Sequence, residues 1–135
     1  MSYPITVIEG IDGETAATLK SVGIRSTGRL LEMARSVRGR KALAAKTGFD
    51  EKCLLGWANV ADRMRLKGVN RGYSQLLSAA GVDTVKELKY RNPANLAKAM
   101  ADTNKTRKLV DFLPSEKVVA RWIDDAKKLP LKITY

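Results

Sequence analysis

Apolar residues return every three or four positions through most of this chain, the spacing of one helical face. Glycines and capping residues punctuate the pattern. Residues 1–7 read as a lead-in in which Pro4 opposes an early helix and Ile5, Val7 and Ile8 form a short extended arm. A tight turn over 10–13 opens a helix over 14–22, with Ala16, Ala17, Leu19 and Val22 inward and Gly23 as its left-handed stop. Ser26 or Thr27 caps the next helix, which presents Leu30, Leu31, Met33 and Ala34. Gly39 breaks the pattern, and residues 40–46 resume it as an Ala-rich helix ended by Gly48. Asp50 caps a longer helix carrying Cys53, Leu54, Trp57, Val60, Ala61 and Met64 on one stripe and running into Leu66.

The plan then recurs. Residues 66–88, LKGVNRGYSQLLSAAGVDTVKEL, echo residues 8–30, IEGIDGETAATLKSVGIRSTGRL, at an offset of 58. Tyr73, Leu76, Leu77 and Ala80 form the helix face, Gly81 stops it, and Thr84 with Glu87 makes a capping box for residues 85–91. Asn92 and Pro93 open a helix with Leu96, Ala97 and Met100 inward, followed by a polar break at 104–107. Leu109, Val110, Phe112 and Leu113 form an apolar connector. Ser115 caps the last helix, which shows Val118, Val119, Trp122, Ile123 and Ala126 and ends before Pro130 and a short tail. Trp57 and Trp122 hold matching places as core anchors, but 65 residues apart, so the second copy has an insertion of about seven residues within 104–114. The expected fold is all-α: a single domain, 1–135, of two helical repeats, 5–64 and 65–130, sharing one core.

Each copy begins with a Gly-bearing turn feeding a helix. Such an entrance leaves backbone N–H groups without internal acceptors and carries a positive partial charge, so it suits an anion. Asp12 and Asn70 stand at one equivalent turn position, where a positive φ would explain their type. Ile8, Gly10, Ile11, Leu19, Gly23 and Ile24 in one copy, and Leu66, Gly68, Val69, Leu77, Ala80, Gly81 and Val82 in the other, resemble the helix-hairpin-helix motif. Over nearly all of residues 5–130 the chain also resembles the family called domain of unknown function 4332. The motif resemblance implies binding of DNA phosphates across the minor groove without strong sequence preference; the family resemblance implies a fold and no activity. Both copies depart from the motif, with Asp12 or Asn70 at its second glycine.

Charge separates the two hairpins. The chain carries a net charge of +11 and a pI of about 10.0. Residues 1–63 contribute +3 and residues 64–135 contribute +8. Such a balance suits a polyanionic partner, nucleic acid first, though it also serves solubility alone. Glu9, Asp12 and Glu14 would repel a phosphate from the first hairpin, which reads as structural. In the second, Lys67, Gly68, Asn70, Arg71 and Gly72 would hold the phosphate, with Arg63 and Arg65 as flanking cations. Two further basic clusters, Arg35, Arg38, Arg40 and Lys41 and then Lys105, Arg107 and Lys108, are either solvated faces or extensions of a backbone track.

Candidate catalytic chemistry is scarce. There is no His, no Cys/His metal set and no phosphate loop of the GxxxxGK[ST] type, so no enzyme, cofactor or metal is expected. Asp62, Asp124 and Asp125 fall on expected helix surfaces beside cations and read as salt-bridge partners. Cys53, the sole cysteine, reads as a small buried hydrophobe and fits a reducing compartment. No apolar run spans a bilayer and the first residues lack signal-peptide features, which points to the cytoplasm. The expected function is non-catalytic binding of nucleic acid, duplex DNA above all; the alternative is a protein-interaction or scaffold module whose basic surface meets an acidic protein.

Overall fold

The computed structural model describes residues 2–135, and the chain is all-helical across them. Two compact units emerge: residues up to Arg65 together with Lys132–Tyr135, and Leu66–Leu131. Buried apolar residues form a cluster within each unit.

In the first unit the lead-in is a 3-10 turn, Ile5–Val7, not an extended arm, and Pro4 before it makes an isolated antiparallel bridge to Ser26. Helix α1, Gly13–Ser21, starts at Asp12, whose side chain accepts from the Thr15 amide. Helix α2, Thr27–Ala34, is capped by Ser26 and buries Leu30, Leu31 and Ala34. Gly39 does not break the chain. It lies in the first turn of α3, Val37–Thr47, where its amide donates to the capping Ser36 hydroxyl. A Cβ at Gly39 would collide with the Met33 carbonyl oxygen, so glycine is there for close approach rather than for a stop. Helix α4, Glu51–Arg63, buries Leu54, Ala58 and Ala61 against α2 and α3. Its inward stripe excludes Cys53, which is exposed, contrary to its reading as a buried hydrophobe.

The tail belongs to this first unit. Thr134 donates its amide to the Arg35 carbonyl, the Tyr135 hydroxyl donates to the Asn59 side chain, and Lys132 pairs with Glu32. Arg40 is buried and donates to the carbonyls of Ala34 at 2.9 Å and Thr134 at 2.6 Å.

In the second unit, α5, Arg71–Ala79, leads to α6, Val85–Leu88, which opens on half of the expected box: the Thr84 hydroxyl accepts from the Glu87 amide, but the Glu87 carboxylate accepts from that hydroxyl rather than from the Thr84 amide. Helix α7, Pro93–Arg107, runs straight through the expected polar break at 104–107 and ends with Lys108 in the left-handed region, φ 48°. Helix α8, Glu116–Lys128, starts at Ser115 and buries Val119, Trp122, Ile123 and Ala126. It packs on α6 and α7, and α7 packs on α5. The unit is therefore built around the α7 and α8 pair, with α5, the helix that the second turn launches, packed on α7.

Candidate functional site

The two turns have the same backbone geometry. Gly10 and Gly68 take φ of +90° and +85°, in the left-handed region open to glycine. Asp12 and Asn70 do not: their φ values are −77° and −89°, and both are N-caps. The expectation that they occupy a positive-φ position is therefore corrected. Their type follows from capping, which needs a short side-chain acceptor on extended backbone. Asn70 accepts from the Tyr73 amide at 3.0 Å, as Asp12 does from Thr15 at 2.8 Å.

That cap sets the electrostatics of each entrance. At α1 a carboxylate already sits on the helix start, and the Thr15 hydrogen bonds hold Asp12 below the usual carboxylate range. Glu9 and Glu14 are exposed beside it. At α5 the cap is a neutral amide, so the amides of Asn70, Arg71 and Gly72 meet no fixed negative charge from the cap. Lys67 and Arg71 are exposed on either side of the turn. Among the described residues neither forms a salt bridge.

The other expected members divide. Arg63 is only 4% exposed, inside the first unit, and does not present a flanking cation to solvent. Arg65 is half-buried and bound to Asp62 at 2.5 Å. Asp62 is itself buried rather than on a helix surface, and desolvation pushes its carboxyl up despite Arg65 and Arg63. Arg63 and Arg65 thus serve the end of α4. In the first basic cluster Arg35, Arg38 and Lys41 are exposed, Arg35 pairing with Glu32 at 3.6 Å, whereas Arg40 is spent inside. In the second, Lys105, Arg107 and Lys108 are all exposed at the end of α7, with Lys105 near Asp102 at 3.7 Å. These three share a unit with the α5 entrance.

One neighbour of that entrance was not read from the sequence. The connector after α7 closes against it, and a cavity of about 260 Å³ lies between, lined by Asn70, Gly72, Tyr73, Leu109, Val110, Asp111 and Phe112. Gly72 fits closely there: a Cβ on it would stand 3.1 Å from Val110 Cγ1. The Tyr73 hydroxyl donates to the Phe112 carbonyl at 3.0 Å. The insertion of about seven residues expected within 104–114 was the available signal, and the connector falls in the later part of that range. Asp111 brings a carboxylate to the cavity, whereas Lys67 and Arg71 are not among its lining residues.

A family model described as a domain of unknown function, DUF4332, matches residues 9–129. The chain belongs to the DUF4332 family. No curated protein matches it, and no solved structure does. The match runs across both turns and both tryptophans of this DUF4332 chain. Among the described residues no His, Cys, Asp and Glu cluster could hold a metal, and no helix is long and apolar enough to cross a membrane.

Proposed function

We propose that this chain is a non-catalytic nucleic-acid-binding protein of tandem helix-hairpin-helix repeats. It holds backbone phosphates, those of duplex DNA first, at the start of α5 and without strong sequence preference. The observation that carries the reading is the pair of exposed cations, Lys67 and Arg71, around a neutral-capped helix entrance. A phosphate there would meet the N–H groups of Asn70, Arg71 and Gly72 and two mobile charges at once. Lys105, Arg107 and Lys108 give the same unit further cations for neighbouring phosphates. The first hairpin stays structural, because Asp12 already occupies its helix start.

The test is fluorescence anisotropy with a short mixed-sequence duplex at low salt, using wild type and the K67E/R71E double variant. Both residues are exposed, so helical content should be unchanged by circular dichroism. Wild type should bind with an affinity that falls steeply with salt, and the variant should not bind. Equal binding by both would remove the hairpin from the account. Absence of binding to duplex, single strand and RNA alike would overturn the reading in favour of an acidic protein partner.

A further inference from the structure

The connector between α7 and α8 holds a large apolar side chain out in water. Phe112 is 81% exposed and Leu113 48% exposed. The backbone behind them is pinned. The Asn104 side chain accepts from the amides of Leu109 at 2.8 Å and Val110 at 3.1 Å, and donates to the Val110 carbonyl at 3.0 Å. The Tyr73 hydroxyl holds the Phe112 carbonyl, and the Tyr73 ring rests on buried Trp122 with centroids 5.3 Å apart. Pro114 stiffens the far side. A fixed backbone leaves only the side-chain rotamers of Phe112 to be ordered on binding, which suits a stacking platform.

Its surroundings select the occupant. Phe112 borders the cavity at the α5 entrance, whose other wall holds Asn70 and Gly72 on either side of the exposed Arg71. On the connector side Lys108 directly precedes the lining residue Leu109. Each of the two segments that line the cavity thus carries an exposed cation next to a lining residue, which favours a base with its adjoining phosphates as the occupant. Asp111 on the rim would repel a phosphate but can accept an amino hydrogen from a base edge. At about 260 Å³ the space falls below that of a drug-sized pocket and suits one planar ring.

We propose that Phe112 is a nucleobase-stacking residue, which adds to the binding of duplex phosphates at the α5 entrance wherever the nucleic acid also offers an unstacked base, at a gap, end or single-stranded stretch. This rests on the phosphate-binding reading above. It assigns a function to the insertion that distinguishes the second repeat from the first. The source of the base is left to the experiment's arms, since the ring would recognise the same π-face in each.

The experiment measures anisotropy of three probes of matched length: blunt duplex, duplex with a single-stranded gap, and single strand. Wild type should bind at least one of the two probes with unpaired bases tighter than blunt duplex. F112A should lose that preference, roughly tenfold or more, while its blunt-duplex affinity stays. F112W should keep it. The gapped and single-stranded arms say whether the base comes from an interrupted duplex or a free strand. If F112A leaves every ratio unchanged while K67E/R71E abolishes binding, stacking is wrong and the phosphate site stands. If wild type binds no probe, both proposals fall and the exposed ring belongs to a protein interface.

Discussion

Trp122 lies directly beneath Gly68: its indole nitrogen is 3.6 Å from where a Gly68 Cβ would stand. Trp57 has the same relation to Gly10, at 3.7 Å. Each tryptophan supports the turn that launches a helix, and each turn depends on a left-handed glycine. At Gly68 the added methyl of alanine would make ordinary contact with the indole, so the cost comes from the backbone alone. Gly68→Ala should destabilise by about 1–2 kcal/mol. Gly68→Asn should cost less, because asparagine tolerates this region. Thermal melts of the three proteins check the order, and an asparagine variant no better than alanine would mean that the site, not φ, sets the penalty.

Two carboxylates should titrate in opposite directions. Burial raises Asp62 above its ordinary value of 3.8, and this outweighs the attraction of Arg65 and Arg63. The folded state therefore keeps a proton that the unfolded chain has released, and stability falls as pH rises from about 4 through the folded value. Glu32 is held below its ordinary 4.5, first by the hydrogen bond and charge of Lys132 and then by Arg35. Its contribution is present above 4.5 and is lost as pH falls through the folded value. Urea unfolding between about pH 3 and pH 7 should show Asp62→Asn gaining on wild type as pH rises, and Glu32→Gln losing. Parallel curves for either variant would refute that assignment.

The helices and their caps were legible because capping chemistry is local. Ser26, Asp50, Asn92 and Ser115 were each read from a short polar side chain before an apolar-periodic run, and each accepts from an amide two or three residues on. Glycine was harder, since one residue type serves two purposes. At Gly23, Gly48 and Gly81 the backbone is left-handed and the helix stops. At Gly39 the need is room for the Met33 carbonyl, a tertiary fact with no local signal. The candidate site divides the same way. Lys67 and Arg71 could be read as exposed from their places around a turn. The burial of Arg40 could not, because it depends on the Thr134 carbonyl, 94 residues away.

That long-range contact should make Arg40 and the tail interdependent. Arg40→Ala strands the Ala34 carbonyl and releases Thr134, a loss of about 1–3 kcal/mol. Deleting the chain after Leu131 removes the Thr134 acceptor together with the Lys132–Glu32 and Tyr135–Asn59 contacts. Since both changes break one shared bond, the double variant should be less destabilised than the sum of the singles, by about 0.5 kcal/mol or more. Urea unfolding of the four proteins closes the cycle. Strict additivity would show that Arg40 does not hold the tail.

Gly39 and Gly56, each inside a helix of the first unit, should respond to the same substitution with opposite sign. Gly56 lies within α4, is exposed, and a Cβ built there meets nothing within 4 Å. Alanine restricts the unfolded chain and improves helix propensity, so Gly56→Ala should stabilise by about 0.5–1 kcal/mol. Gly39 has the same nominal propensity deficit within α3, but its missing side chain is what lets the Met33 carbonyl approach. Backbone cannot move aside as a flexible side chain would, and the Ser36 cap bonds through the Gly39 amide itself. Any shift of α3 that relieves the collision therefore strains the cap. Gly39→Ala should lower stability by roughly 1–3 kcal/mol, the range for overpacking against a rigid neighbour. Melting curves for the two variants decide it: a stabilised Gly39→Ala would mean that α3 slides freely along α2, and that this glycine punctuates the sequence without constraining the fold.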